Sequence, residues 1–392
     1  MRTHPALPLA LAALVALPFS VRSLASQQAG RKDPNLERAE RVLRQSPLID
    51  GHNDLPWAIR ESKTAPHDVE AYDLRRTTPG HTDLARLRAG MLGGQFWSVY
   101  IPGDTSIARQ GYAKVQLEQI DIARRVMAKY PDALQPITTA AGFRDAFRRG
   151  RIGSVMGMEG GHAIENSLGA LRAFYDLGVR YMTLTHNAHL DWADAHIANP
   201  RHGGLTAFGK EVVREMNRLG MLVDLSHTSP ATMSAALDVS EAPVMWSHAN
   251  ARALRDHSRN VPDSILRRLP RNGGVVMVTF VPGFVTDQPK ATLSQVADHI
   301  EHIRNVAGVD HVGIGGDFDG IDSVVEGLED VSSYPRLFAE LARRGWSDAD
   351  LKKLAGENIL RVFEQAERVA ARLQLERAPS TATIATLDGM SR

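Results

Sequence analysis

Apolar residues gather along this chain into short continuous runs, and nearly every run ends in a polar residue with chemical potential. There are eight: Pro47–His52, Gln95–Ile101, Ile152–Glu159, Tyr181–His186, Met221–His227, Pro243–His248, Gly274–Phe280 and His311–Asp317. Runs without polar alternation are what parallel strands need when helices cover both faces of their sheet. The intervals carry helical periodicity instead. Leu205–Leu219 sets Phe208, Val212, Met216 and Leu219 on one face, and Gly220 stands where a helix-ending glycine belongs. Thr292-Leu293-Ser294-Gln295 has the pattern of a reciprocal N-terminal cap, opening a helix through Val296, Ile300 and Ile303 that closes at Gly308. Ser347 with Asp350 starts another, which contains Leu351 and Leu354.

Spacing turns these elements into an architecture. His52 and Asp317 lie 265 residues apart across seven strand-helix steps. That is about 38 residues per step, against about 31 in a minimal barrel. The expectation is an α/β fold, a single (β/α)8 barrel over residues 36–376, with insertions mainly at 55–93 and 102–150. A doubly wound open sheet is the competing arrangement. Residues 26–35 read as a linker. Residues 377–392, rich in Ser, Thr, Ala and Pro, read as a flexible tail.

Composition narrows the chemistry. The chain has no Cys, so disulfides, thiolate metal sites and a Cys nucleophile are excluded, and any metal must be held by His, Asp or Glu. Its 46 basic and 45 acidic residues nearly balance, and no basic run interleaves with aromatics, so nucleic acid is not an expected partner. Residues 1–25 read as a secretory signal: Arg2, a short apolar stretch Leu7–Phe19, then Ser23-Leu24-Ala25 as a small-residue cleavage site. Pro8 and Pro18 interrupt the stretch, which falls short of the roughly 20 apolar residues that span a bilayer. The mature chain is therefore expected to be exported, periplasmic or secreted, without a stable membrane anchor.

Strand ends of such a barrel converge on one face, where active sites sit. The first run ends His52-Asn53-Asp54, and residues two apart in extended chain point the same way, so His52 and Asp54 can grip one ion. The third run delivers Glu159, the fifth His227 and the sixth His248. Three imidazoles and two carboxylates from four strands suffice for two divalent ions about 3.5–4 Å apart, the separation at which a shared water is activated.

Three segments then become specific: Asp50-Gly51-His52-Asn53-Asp54-Leu55-Pro56, Gly157-Met158-Glu159-Gly160-Gly161-His162 and Gly313-Ile314-Gly315-Gly316-Asp317-Phe318-Asp319-Gly320. With Leu184-Thr185-His186, Asp224-Leu225-Ser226-His227, Ser247-His248 and Ser258-Arg259-Asn260-Val261-Pro262-Asp263, they resemble the signature segments of the renal (membrane) dipeptidase family of zinc peptidases, over about residues 36–365. The resemblance implies a (β/α)8 metallopeptidase with two Zn2+ per chain, for which Co2+ or Mn2+ can substitute. His52 and Asp54 match one metal's ligands, His227 and His248 the other's, and Glu159 the bridging carboxylate. His186 matches the histidine near the scissile carbonyl, Arg259 the group receiving the substrate carboxylate, and Asp317 the acid/base. It further implies a hydroxide shared by the two ions, dipeptide substrates with a free C-terminal carboxylate, tolerance of C-terminal D-residues, and hydrolysis of some β-lactams. The disulfides and lipid anchor of mammalian members do not transfer; a homodimer is left open, though not a disulfide-linked one. The loop Asn187–His196 keeps Trp192-Ala193-Asp194 but otherwise differs, which leaves side-chain preference open.

Two other readings remain. One is a different dinuclear barrel amidohydrolase, an N-acyl amino acid deacylase, phosphotriesterase or lactonase; those often bridge with a carboxylated Lys, and no Lys stands at a strand end here. The other is an exported peptide- or metal-binding protein without catalysis. Among further polar residues, His162 is a candidate for a supporting or purely structural bond, and Asp319 for supporting Asp317 or capping a turn before Gly320. His189, His196 and His202 read as solvated loop histidines rather than a third metal site.

Overall fold

The computed structural model describes residues 1–3, 33–103 and 105–389. The expected leader lies, beyond its first three residues, outside them. Nine parallel strands form the sheet: β1 Leu48–Asn53, β2 Leu92–Ser98, β3 Leu134–Pro136, β4 Ile152–Glu159, β5 Val179–Thr183, β6 Leu222–Asp224, β7 Met245–Trp246, β8 Val275–Val278 and β9 Val312–Ile314. Every run read from the sequence overlaps one of them.

The sheet closes because β1 pairs with both β2 and β9, while β2 pairs with β4. Eight strands thus make the barrel. The ninth, β3, lies in the 102–150 insertion between helices Tyr112–Lys129 and Ala140–Arg148 and pairs only with the start of β4, Leu134 opposite Ile152. All residues of β1, β2, β4, β6, β7, β8 and β9 are buried, as strands wrapped by helices must be. The helix signals also stand: Thr206 caps Ala207–Leu219, which ends at a left-handed Gly220, and the Thr292–Gln295 capping box opens Leu293–Ala307. Among the described residues no helix is long and apolar enough to cross a membrane.

Inside the barrel, Phe96, Tyr181, Phe143 and Phe363 meet with ring centroids 5.5–6.4 Å apart. Tyr181 crosses this layer only because its neighbour on β4 is a glycine: a Cβ at Gly157 would fall within the Tyr181 ring. Gly157→Ala is therefore expected to cost about 1–3 kcal/mol by overpacking, read as a lower denaturant midpoint with unchanged slope. A midpoint equal to wild type would show that the ring can move aside.

The segment expected to be a flexible tail is described as far as Gly389. A short helix, Ile384–Asp388, ends in Asp388, whose carboxylate accepts from Thr206 Oγ1 at 2.7 Å and from Phe208 N at 3.2 Å, at the start of helix Ala207–Leu219. Arg172 donates to Ser380 O at 3.0 Å. Ala382 and Ile384 also pack against the core, so polar and apolar contacts together seat this segment.

Candidate metal centre

At and just past the carboxyl ends of the strands, the fold gathers all eight expected site residues at one mouth. Glu159 is the hub. Its Oε1 lies 3.0 Å from His227 Nε2, 3.4 Å from His248 Nε2 and 3.8 Å from His186 Nε2, while its Oε2 lies 3.4 Å from His52 Nε2. His52 Nε2 is also 3.2 Å from Asp54 Oδ2 and 3.8 Å from Asp317 Oδ1. Arg259 opens on the same cavity of about 680 Å³, with Tyr100, Trp57 and Phe284 among its walls.

What turns the Nε2 of His52, His227 and His248 inward is the bond made by the other ring nitrogen. His52 Nδ1 meets Tyr181 OH at 2.8 Å, which ties the Gly157 gap to the site. His227 Nδ1 meets Asn187 Oδ1 at 2.8 Å. His248 Nδ1 meets Ser247 Oγ at 2.9 Å, and that hydroxyl donates to Asp224 Oδ2 at 2.6 Å, so it receives the imidazole N–H and leaves Nε2 with a lone pair. Two imidazole nitrogens, 3.0 Å apart and both facing a carboxylate oxygen, are an arrangement that a bound cation would satisfy. His52 Nε2 and Asp54 Oδ1 are likewise buried without a hydrogen-bond partner. The donor set therefore fits divalent metal: nitrogen and oxygen, no sulfur, converging in groups such as His52–Glu159–His248 and Glu159–His186–His227.

Electrostatics agree. Burial holds His227 and His248 well below the usual imidazole range, with Arg259 adding to the effect, so both stay neutral. Burial also lowers His186. Glu159 is held well below the carboxylate range: burial pushes it up, but His52, His186 and His227 around it outweigh that. Asp317 moves the other way, raised by burial and by the Asp54 and Glu159 carboxylates against the pull of His52 and Arg259. Arg259 is pushed down to about 10 by burial and stays charged at neutral pH. His227, Asp317 and Asp319 all sit at left-handed φ, 61°, 64° and 66°. Such backbone clusters where function over-determines it.

The remaining histidines take structural roles. His162 Nε2 bonds Ile101 O at 3.0 Å. His189 and His202 bond the carbonyls of Ala198 and Leu190, and Asp194 gathers the amides of Arg201, His202 and Gly204. His196 departs from its reading as a solvated loop residue: burial, with Arg259 nearby, pushes it down to about 3, and it lines the cavity. Asp319 accepts from His81 N at 2.6 Å and so pins a loop rather than touching the centre. Sequence reasoning gave no role to Tyr181, Asn187 or Asp224; only Asp224, two residues before Ser226 in the same run, left a signal.

A closed parallel barrel with imidazoles and carboxylates converging at its strand ends is a metal-dependent hydrolase. The chain belongs to the membrane dipeptidase family, peptidase family M19, whose model matches residues 36–377. It is accordingly a metallopeptidase of the dipeptidase class. Among solved structures it is similar to a metallopeptidase from Rhodobacter sphaeroides bound to a phosphinate mimic of the dipeptide L-Ala-D-Ala, at 26% identity and a TM-score of 0.75, over 82% of this chain and 99% of that one. It is similar also to the M19 metallopeptidase called dipeptidase AC, at 27% identity and 0.75, covering 82% and 98%. A probable dipeptidase from Pseudomonas aeruginosa shares the fold at 24% identity and 0.77, over 86% and 99%.

Proposed function

We propose that the protein hydrolyses dipeptides with a free C-terminal carboxylate, tolerates a D-residue at that position, and works with two zinc ions, for which Co2+ or Mn2+ can substitute. His52 and Asp54 would hold one, His227 and His248 the other, with Glu159 between them. Cations held there would lower the pKa of a shared water toward neutrality and so supply a nucleophile at neutral pH. The chain's own residues do the rest. Glu159 and the imidazoles orient the attack. His186, at the cavity wall, donates to the carbonyl oxygen as charge develops on it. Asp317 takes the proton and returns it to the leaving amine.

The observation that carries the substrate class is Arg259. It is buried beneath the same cavity, with Nε and Nη1 lacking any hydrogen-bond partner and the guanidinium stacked 5.1 Å from the Phe284 ring centre. A buried guanidinium with unmet donors calls for an anion, and a carboxylate fits its fork. The ligand of the Rhodobacter sphaeroides relative, a mimic of L-Ala-D-Ala, supports a dipeptide with a D-residue at its C-terminus.

Arg259→Met tests this. Losing one partner of a buried charge pair costs about 2–5 kcal/mol, so kcat/KM for a free dipeptide should fall from roughly 30-fold to several thousand-fold. Hydrolysis of the matching C-terminal amide, already poor, should barely change. Equal losses on both substrates would mean that Arg259 only braces its loop, and the dipeptide reading would lose its main support.

A further inference from the structure

The Asn187 side chain joins two histidines that the sequence places far apart in role. Its Oδ1 lies 2.8 Å from His227 Nδ1 and 2.9 Å from His196 Nε2. One carbonyl oxygen can accept from both rings, so each presents an N–H to it and turns a lone pair the other way. For His227 that lone pair is on Nε2, toward Glu159. For His196 it is on Nδ1, which meets Ser258 Oγ at 2.9 Å and accepts from it. Ser258 directly precedes Arg259.

His196 also holds His227 through the backbone. Its N–H donates to His227 O at 2.8 Å, and Thr185 Oγ1 donates to the same carbonyl at 3.1 Å. Two donors on one carbonyl help fix a residue whose φ of 61° is otherwise unfavourable. Beyond Ser258, Arg252 Nη2 donates to Ser258 O at 2.9 Å, and Arg259 N donates to His257 Nδ1 at 3.2 Å, so the short arch carrying Arg259 is tied at several points. Only His196 links that arch to the imidazole–carboxylate cluster by side-chain bonds among those described.

We propose that Asn187 and His196 are positioning residues of the reaction: Asn187 sets the tautomer in which His227 can ligate, and His196 carries that hold across to Ser258, fixing the distance from the metal centre to Arg259. This rests on the reading above in which His227 is a ligand and Arg259 receives the carboxylate. That distance decides how many residues fit between the scissile bond and the C-terminal carboxylate. The pair therefore bears on the choice of dipeptides over longer peptides.

The test uses the full mature chain, stripped of metal, with Zn2+ alone as the titrant. Asn187→Leu removes the acceptor and should weaken Zn2+ binding about 10- to 100-fold, the usual effect of removing a partner behind a ligand. Asn187→Asp keeps an acceptor and should restore affinity to within a few-fold of wild type. His196→Ala should leave Zn2+ affinity near wild type but raise KM for a free dipeptide about 10-fold with a smaller change in kcat, since a small misplacement of a binding group is costly. It should also narrow the preference for a dipeptide over the tripeptide that extends it. His196→Gln, which keeps a donor toward Asn187, should recover part of the loss.

Unaltered Zn2+ affinity in Asn187→Leu, or equal loss in Asn187→Leu and Asn187→Asp, would overturn the tautomer role. A His196→Ala effect equal on dipeptide, tripeptide and dipeptide amide would overturn the spacing role. Absence of metal-dependent dipeptide hydrolysis in wild type would instead overturn the functional reading, while the Zn2+ titrations would still decide what Asn187 does to His227.

Discussion

Chelation of the purified protein should abolish dipeptide hydrolysis, and Zn2+, Co2+ or Mn2+ should restore it. The expectation follows from what surrounds Glu159. Imidazole nitrogens and carboxylate oxygens approach within 3.0–3.4 Å of one another there, and at His227 and His248 the ring N–H is turned outward to Asn187 and Ser247. No Arg or Lys forms an ion pair with Glu159, Asp54 or Asp317 among the described residues, and no Lys lines the cavity. Without an ion, nothing activates water, and the rate should drop to background. His248→Ala should lose metal at one site with little change in unfolding midpoint, since His248 stands beyond the two residues of β7 rather than in the packed layer below. Full activity in protein shown to be metal-free by elemental analysis would end the reading.

The second large effect is expected at Asp317. Asp317→Asn keeps the shape and removes the proton acceptor, so kcat should fall about 10²- to 10⁴-fold, equivalent to roughly 3–5 kcal/mol of barrier. The geometry poses a real alternative. Asp317 also falls into a group with His52 and Asp54 whose donor atoms all lie within 4.8 Å of one another, so it is placed to ligate as well as to shuttle a proton. The two roles separate by metal analysis. An acid/base leaves about two ions per chain after the change; a ligand takes one away with the activity. Loss of an ion would reassign Asp317.

Most of the barrel and the centre were legible because both depend on local patterns. A strand buried on both faces has no polar alternation, and a catalytic residue at its end interrupts the run where the chain leaves the sheet. Hence His52, Glu159, His227, His248 and Asp317 stood out. The rest depends on register and distance. Strand β3 is three residues, Leu-Gln-Pro, only one of them buried, so it has neither length nor pattern. Tyr181 looked like the first apolar residue of a run; its hydroxyl matters only because β4 sets Gly157 opposite it. His196 read as one of three loop histidines until the loop folded back over His227.

The left-handed backbone at His227 and Asp317 changes what a mutational scan of this site would measure. Asn, Asp and His enter that region more readily than other side chains. Alanine at either position would remove the functional group and at once impose a backbone preference of about 1–2 kcal/mol against the observed conformation. Scores from an alanine library would then overstate the chemical contribution of these two residues relative to His52, His186 and His248, whose backbone is ordinary. A library built on asparagine at 227 and 317 removes that bias, and ranks the site by its chemistry rather than by the bend that presents it.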